Sequence, residues 1–220
     1  MDSIYNEMFD RNIKYLNSNN FYFDNILGTL KDTRKCVAIL NYDDFKYTNN
    51  WYNLKNNLDT ILNKNTYIIP RLHNTFLIVD KWSLEPLESR MIDNGKYENI
   101  KEFIKKNIKH YNVVYNRIIP VKSGLTLCGT ADIDINKLRD LLRNTGLVEG
   151  ELYYLDIIHI TILRFVKEIS CEVKNKLLNY IISLPKQIYI THTVNNLRIV
   201  DCGYTVFPKE ITEILSVKLI

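Results

Sequence analysis

Apolar positions along this chain switch between two spacings, and each switch marks the edge of an element. Trp51, Leu54, Leu58 and Leu62 recur at helical intervals and predict a helix ending near Asn65. Ile100, Phe103, Ile104 and Ile108 repeat the pattern, with flanking lysines as the solvated face. Ile135, Leu138, Leu141 and Leu142 predict a helix capped by Asp134 and stopped at Gly146. Val173, Leu177 and Ile181 predict another, capped by Ser170 and ended before Pro185. A further helix over Met8 to Leu16 runs into an Asn-rich turn, Asn17-Ser18-Asn19-Asn20.

Between these lie β-branched runs that predict strands. They are Cys36–Leu40, Tyr67–Val79, Tyr153–Val166, Ile188–Val194 and Leu197–Phe207, the last two joined at Asn195-Asn196. Val113–Val121 and Leu125–Ala131 form a hairpin turning at Lys122-Ser123-Gly124. The order strand, helix, strand, helix, strand occurs twice. That repeat predicts two lobes related by an approximate twofold within one domain, residues 31–220, with the lobe boundary near 122–124. Residues 1–30 read as an extension packed on it.

Two strands of this plan carry the same short string. Leu72-His73-Asn74-Thr75-Phe76 and Ile158-His159-Ile160-Thr161-Ile162 are each His-x-Thr in an apolar run, and they use two of only four histidines. Side chains alternate faces along a strand. Each imidazole therefore shares a face with its hydroxyl while the flanking apolar residues point to a core. Side by side, the two strands would offer two imidazoles and two hydroxyls to one small anion, an arrangement suited to acid–base chemistry on a phosphate ester.

The pair resembles the signature of the 2H phosphoesterase superfamily, which includes bacterial enzymes of the RNA ligase and cyclic phosphodiesterase type. His159-Ile160-Thr161-Ile162-Leu163-Arg164-Phe165 is similar to the family's His-h-Thr-h-x-Arg run, where h is apolar. The first copy departs from the pattern at Asn74, a position facing away from the site. The resemblance implies an α+β fold with two antiparallel sheets facing a central groove and helices outside. It implies a metal-independent, cofactor-free phosphodiesterase with catalytic His73, Thr75, His159 and Thr161, the histidines serving as base and acid in either order. Substrates would be 2′-linked nucleotides, such as a 2′,5′-linked cyclic dinucleotide or 2′,5′-oligoadenylate. The alternatives are an RNA-end 2′,3′-cyclic phosphodiesterase and a non-catalytic module that sequesters nucleotides.

Alternation puts Arg71 on the His73 face, either touching phosphate or as a surface arginine at the start of a strand. It puts Arg164 opposite His159 unless a bulge intervenes, which favours a structural salt bridge. Tyr153 on the His159 face and Trp82 on a following loop are candidates to stack on a base. His192, His110, Asp132 and Asp134 read as structural or exposed, the aspartates as a turn and a helix cap.

Composition narrows the setting. A net charge of +4 suits an anionic nucleotide or short oligonucleotide but not a long nucleic-acid footprint. No apolar run reaches the ~20 residues that span a bilayer. Cys36, Cys128, Cys171 and Cys202 lack the spacing of a disulfide framework or a zinc site. Met1–Glu7 has no signal-peptide pattern. The expectation is a cytoplasmic monomer. The Lys/Asn/Ile/Tyr-rich wording resembles A+T-biased genomes of large DNA viruses, so host cytoplasm and the blunting of host nucleotide-based immune signalling are the expected setting.

Overall fold

The computed structural model describes residues 2–17, 21–83, 94–148 and 154–220, with side chains at 3–17, 21–80, 95–148 and 154–220. Among the described residues the fold is α+β, with ten strands in two antiparallel sheets. β1 (Lys35–Asn41), β4 (Asn74–Ser83), β9 (Asn196–Cys202) and β10 (Ile211–Lys218) form one, in the order β10-β9-β1-β4. β2 (Phe45–Tyr47), β3 (Tyr67–Ile68), β5 (Tyr111–Val121), β6 (Gly124–Ala131), β7 (Ile158–Phe165) and β8 (Ile190–Val194) form the other, in the order β2-β8-β5-β6-β7-β3.

Five helices among these residues flank them: α1 (Asp2–Asn17), α2 (Asn49–Ile61), α3 (Asn94–Asn107), α4 (Ile135–Arg143) and α5 (Cys171–Ser183). α3 packs on β10 and α4 on β4, while α2 meets α5 over the larger sheet and α1 lies against β5. The caps act as their sequence predicts. Asp134 accepts from the Lys137 N–H at 3.0 Å, and Ser170 from the Val173 N–H at 3.3 Å. Among the described residues no helix is long and apolar enough to cross a membrane.

One main core joins the helices to both sheets. β1 is buried on both faces, as its continuous apolar run requires. Val37 and Ile39 enter that core, while Cys36, Ala38 and Leu40 form a smaller cluster with Ile78, Cys202 and Val206 on the opposite face.

The single strand expected over Tyr67–Val79 is two. β3 pairs with β7 in the larger sheet and β4 with β1 in the smaller, and the chain crosses between them at Ile69-Pro70-Arg71-Leu72-His73. Pro70 has no N–H to donate to a ladder and its φ is fixed, so the strand breaks there. The last predicted strand stops at Cys202, and the chain returns as β10 through a 3₁₀ turn at Pro208–Glu210. Lys122-Ser123-Gly124 turns between β5 and β6, neighbours within the larger sheet. Each sheet draws strands from both halves of the chain.

Candidate active site

β7 begins with the predicted alternation. Ile158 and Ile160 fill the main core, and His159 and Thr161 turn the other way, opposite Cys128 and Thr126 of β6. The register then slips. Thr126 pairs with Thr161 but Leu125 with Leu163, leaving Ile162 as the extra residue of a β-bulge. Ile162 and Leu163 both turn toward α2, lining an apolar cavity with Trp51 and Leu58. Arg164 is thereby brought round to the face of His159. The placement opposite His159 expected from strict alternation is corrected by this one inserted residue. Gly124 pairs with Arg164, and a Cβ at that glycine would collide with the Leu163 carbonyl oxygen, so β6 can approach the bulge only without a side chain.

The first motif has the same construction. His73 precedes β4, Thr75 pairs with Leu40, and Leu77 pairs with Ile39, so Phe76 is the inserted residue. In both strands the bulge falls one residue after the motif threonine. Arg139 of α4, only 1% exposed, gathers the local carbonyls. Its Nε donates to Phe76 O at 2.7 Å, Nη2 to Thr75 O at 3.1 Å and Nη1 to Ile157 O at 3.0 Å. One guanidinium therefore fastens β4 to the segment leading into β7.

His73, Thr75, His159, Thr161 and Arg164 line a single cavity of about 120 Å³, floored by the apolar cluster of β1. His73 Nδ1 lies 2.7 Å from the Arg71 carbonyl oxygen. A carbonyl only accepts, so Nδ1 donates and Nε2 keeps its lone pair. Burial first, then the charges of Arg164 and Arg71, pull this imidazole down to about 4, against the lift from the Arg71 carbonyl. His159 has no such lift. Burial, followed by Arg164, Arg139 and His73, takes it to about 3. Both rings are thus neutral at pH 7, and an anion in the cavity would offset Arg164 and raise both. Arg164 Nη1 also donates to Ser123 Oγ in the β5–β6 turn.

Arg71 is placed elsewhere. Residues 69–73 are not strand, so alternation does not govern them. The guanidinium lies 3.6 Å over the Tyr42 ring and 3.9 Å from Asp43, and it is the Arg71 carbonyl that serves His73. Tyr153 lies outside the described residues, as does the side chain of Trp82; the Trp82 backbone belongs to β4 rather than a loop. His192 is buried with Nε2 2.7 Å from Asn41 Oδ1, and His110 is exposed beyond α3. Asp132 accepts from the Asn112 N–H at 2.9 Å, a turn role. Arg139 escaped the sequence reading. Its signal was a cation on the buried stripe of α4, between Ile135 and Leu142.

No protein-family model matches this chain, and no curated protein matches it by sequence. Among solved structures, the crystal structure of TT0787 of Thermus thermophilus aligns over 84% of this chain and 97% of that one, at 13% identity and a TM-score of 0.47. A likeness that distant carries no argument about activity.

Proposed function

We propose that this chain is a phosphodiesterase of the 2H type, acting on 2′-linked nucleotides with His159 as base and His73 as acid. The observation behind the reading is that both His-x-Thr pairs and Arg164 line one cavity. The division of roles follows from their surroundings. His73 donates Nδ1–H to a carbonyl that supports its protonated form, whereas His159 faces Arg164 and Arg139 without that support. His159 would take the proton from the attacking water or ribose hydroxyl, and His73, protonated at Nε2 once the bound phosphate has raised its pKa, would give that proton to the leaving oxygen. Thr75, Thr161 and Arg164 would donate to the nonbridging oxygens as their charge grows. The 2′-linked class rests on the motif resemblance, and a role in silencing a nucleotide signal on the Lys/Asn/Ile/Tyr-rich composition.

The test is incubation with 2′,5′-linked, 3′,5′-linked and 2′,3′-cyclic substrates in EDTA, with products resolved by chromatography. Cleavage of the 2′-linked members should survive the chelator. His73→Ala and His159→Ala should each lower the rate by about 10² to 10⁴. Activity lost to EDTA and restored by a divalent ion would remove this mechanism. Nucleotide binding without product would make the chain a sequestering module.

A further inference from the structure

Three cavities meet at Arg164. The central one, of about 120 Å³, holds both His-x-Thr pairs. A second, of about 600 Å³, runs from His159 and Arg164 out to α1, where Glu7, Arg11, Lys122 and Tyr154 form its walls. A third, of about 240 Å³, leaves Arg164 past Ser123 between Tyr22, Arg34, Phe165 and Tyr204. Ligand pockets usually begin near about 300 Å³. The central cavity can therefore hold the reacting phosphate and little of what that phosphate joins. The remainder of a substrate must extend into one or both arms.

Ile4, Glu7, Met8 and Arg11 of α1 line one arm and Tyr22, Asp24, Leu27 and Arg34 the other, and the segments that carry them are tied to the sheets. Tyr5, 2% exposed, donates its hydroxyl to Gly129 O at 2.7 Å and accepts from the Ile158 N–H at 3.1 Å, one residue before His159. Asn12 donates to Pro120 O at 2.7 Å. Farther along, the Tyr22 N–H reaches Lys122 O at 2.8 Å, and Arg34 bonds Asp24 and Asp32. The chemistry of the arms differs. Arg11 is exposed and has no ion-pair partner among the described residues, and with Lys122 it adds two cations to Arg164 in an arm that also holds the carboxylates of Glu7 and Asp156. The other arm presents rings. Tyr22 is 55% exposed, and Tyr204 is backed by the Arg34 guanidinium 4.5 Å from its centroid. Aromatic faces of this kind take nucleobases without demanding a sequence.

We infer that residues 3–17 and 21–34 fit this site to a dinucleoside phosphodiester, one nucleoside lying along α1 at Arg11 and the other against Tyr22 and Tyr204. The inference rests on the central cavity as the seat of the phosphodiester, and its test separates the two claims. Steady-state kinetics would compare a 2′,5′-dinucleoside phosphate with a nucleoside 2′,3′-cyclic phosphate. Arg11→Ala and Tyr22→Ala should each lower the kcat/KM ratio of the first to the second about tenfold, equal to about 1.4 kcal/mol. Lys14→Ala, on α1 but outside the arms, should leave the ratio where it was. Calorimetry of the same dinucleoside on the His73→Ala, His159→Ala protein reads the arms without turnover, and Arg11→Ala there should weaken binding about tenfold. Arg11-dependent binding with no product from the native chain keeps the arms and discards the catalytic reading. A dinucleoside that fails to bind, or a ratio unmoved by both substitutions, overturns the inference even if the cyclic phosphate is hydrolysed.

Discussion

Arg164 does more at this site than any other single side chain. It lines the central cavity, donates to Ser123, and depresses both imidazoles through its charge. Its removal should therefore have two separable effects. By NMR titration, Arg164→Ala should raise the pKa of His73 and of His159, because a cation that opposes their protonation is gone. In kinetics, kcat/KM should fall about 10²-fold, the scale of losing one preorganised donor to developing negative charge. Unmoved imidazoles would show that the guanidinium does not face them. The residue was visible in the sequence as part of the second motif, but its orientation was not. Orientation depended on Ile162, an apolar residue in an apolar run, and nothing in its identity announces an inserted position.

Elements were most legible where their periodicity was long. α4 and α5 lie where the apolar spacing and the caps put them, α2 follows its spacing but ends at Ile61 rather than near Asn65, and the β5–β6 hairpin turns at Lys122-Ser123-Gly124. Short or two-sided segments were not legible. β2 has three residues, too few for alternation, and β10 carries exposed Thr212 and Glu213 beside partly buried Ile214 and Leu215. The paired bulges after Thr75 and Thr161 were equally hidden, because a bulge is a property of two strands and each string belongs to one. Their support is where an element-scale prediction applies. Arg139→Met would leave the Thr75 and Phe76 carbonyls buried without their donor. At about 1–3 kcal/mol for each unsatisfied group, the variant should lose about 3 kcal/mol or more in urea unfolding. Arg139→Lys should restore little of that loss, since an ammonium lacks the planar fork that reaches several carbonyls at once. A loss under about 1 kcal/mol would mean the carbonyls find other donors.

For the molecule as a whole, three histidines held neutral make stability depend on acidity. Burial is the first cause for His73, His159 and His192, which sit at about 4, about 3 and about 4. In the unfolded chain each returns to about 6.5. The unfolded state then binds more protons at acid pH. The stability tied to neutral rings is whole above about pH 6.5 and declines as pH falls toward 4. Each histidine contributes a slope of up to about 1.4 kcal/mol per pH unit in that window. Urea midpoints measured from pH 7 to 4 should fall accordingly, and a flat profile would contradict the lowered pKa values of these rings. The most direct measurement of the central claim follows the imidazole C–H signals of His73 and His159 by NMR while a dinucleoside phosphodiester is added. If both His-x-Thr pairs grip one phosphate, the two rings shift together with a single saturation point, and both pKa values rise in the complex. Two rings that respond at different ligand concentrations, or one that never responds, would contradict it.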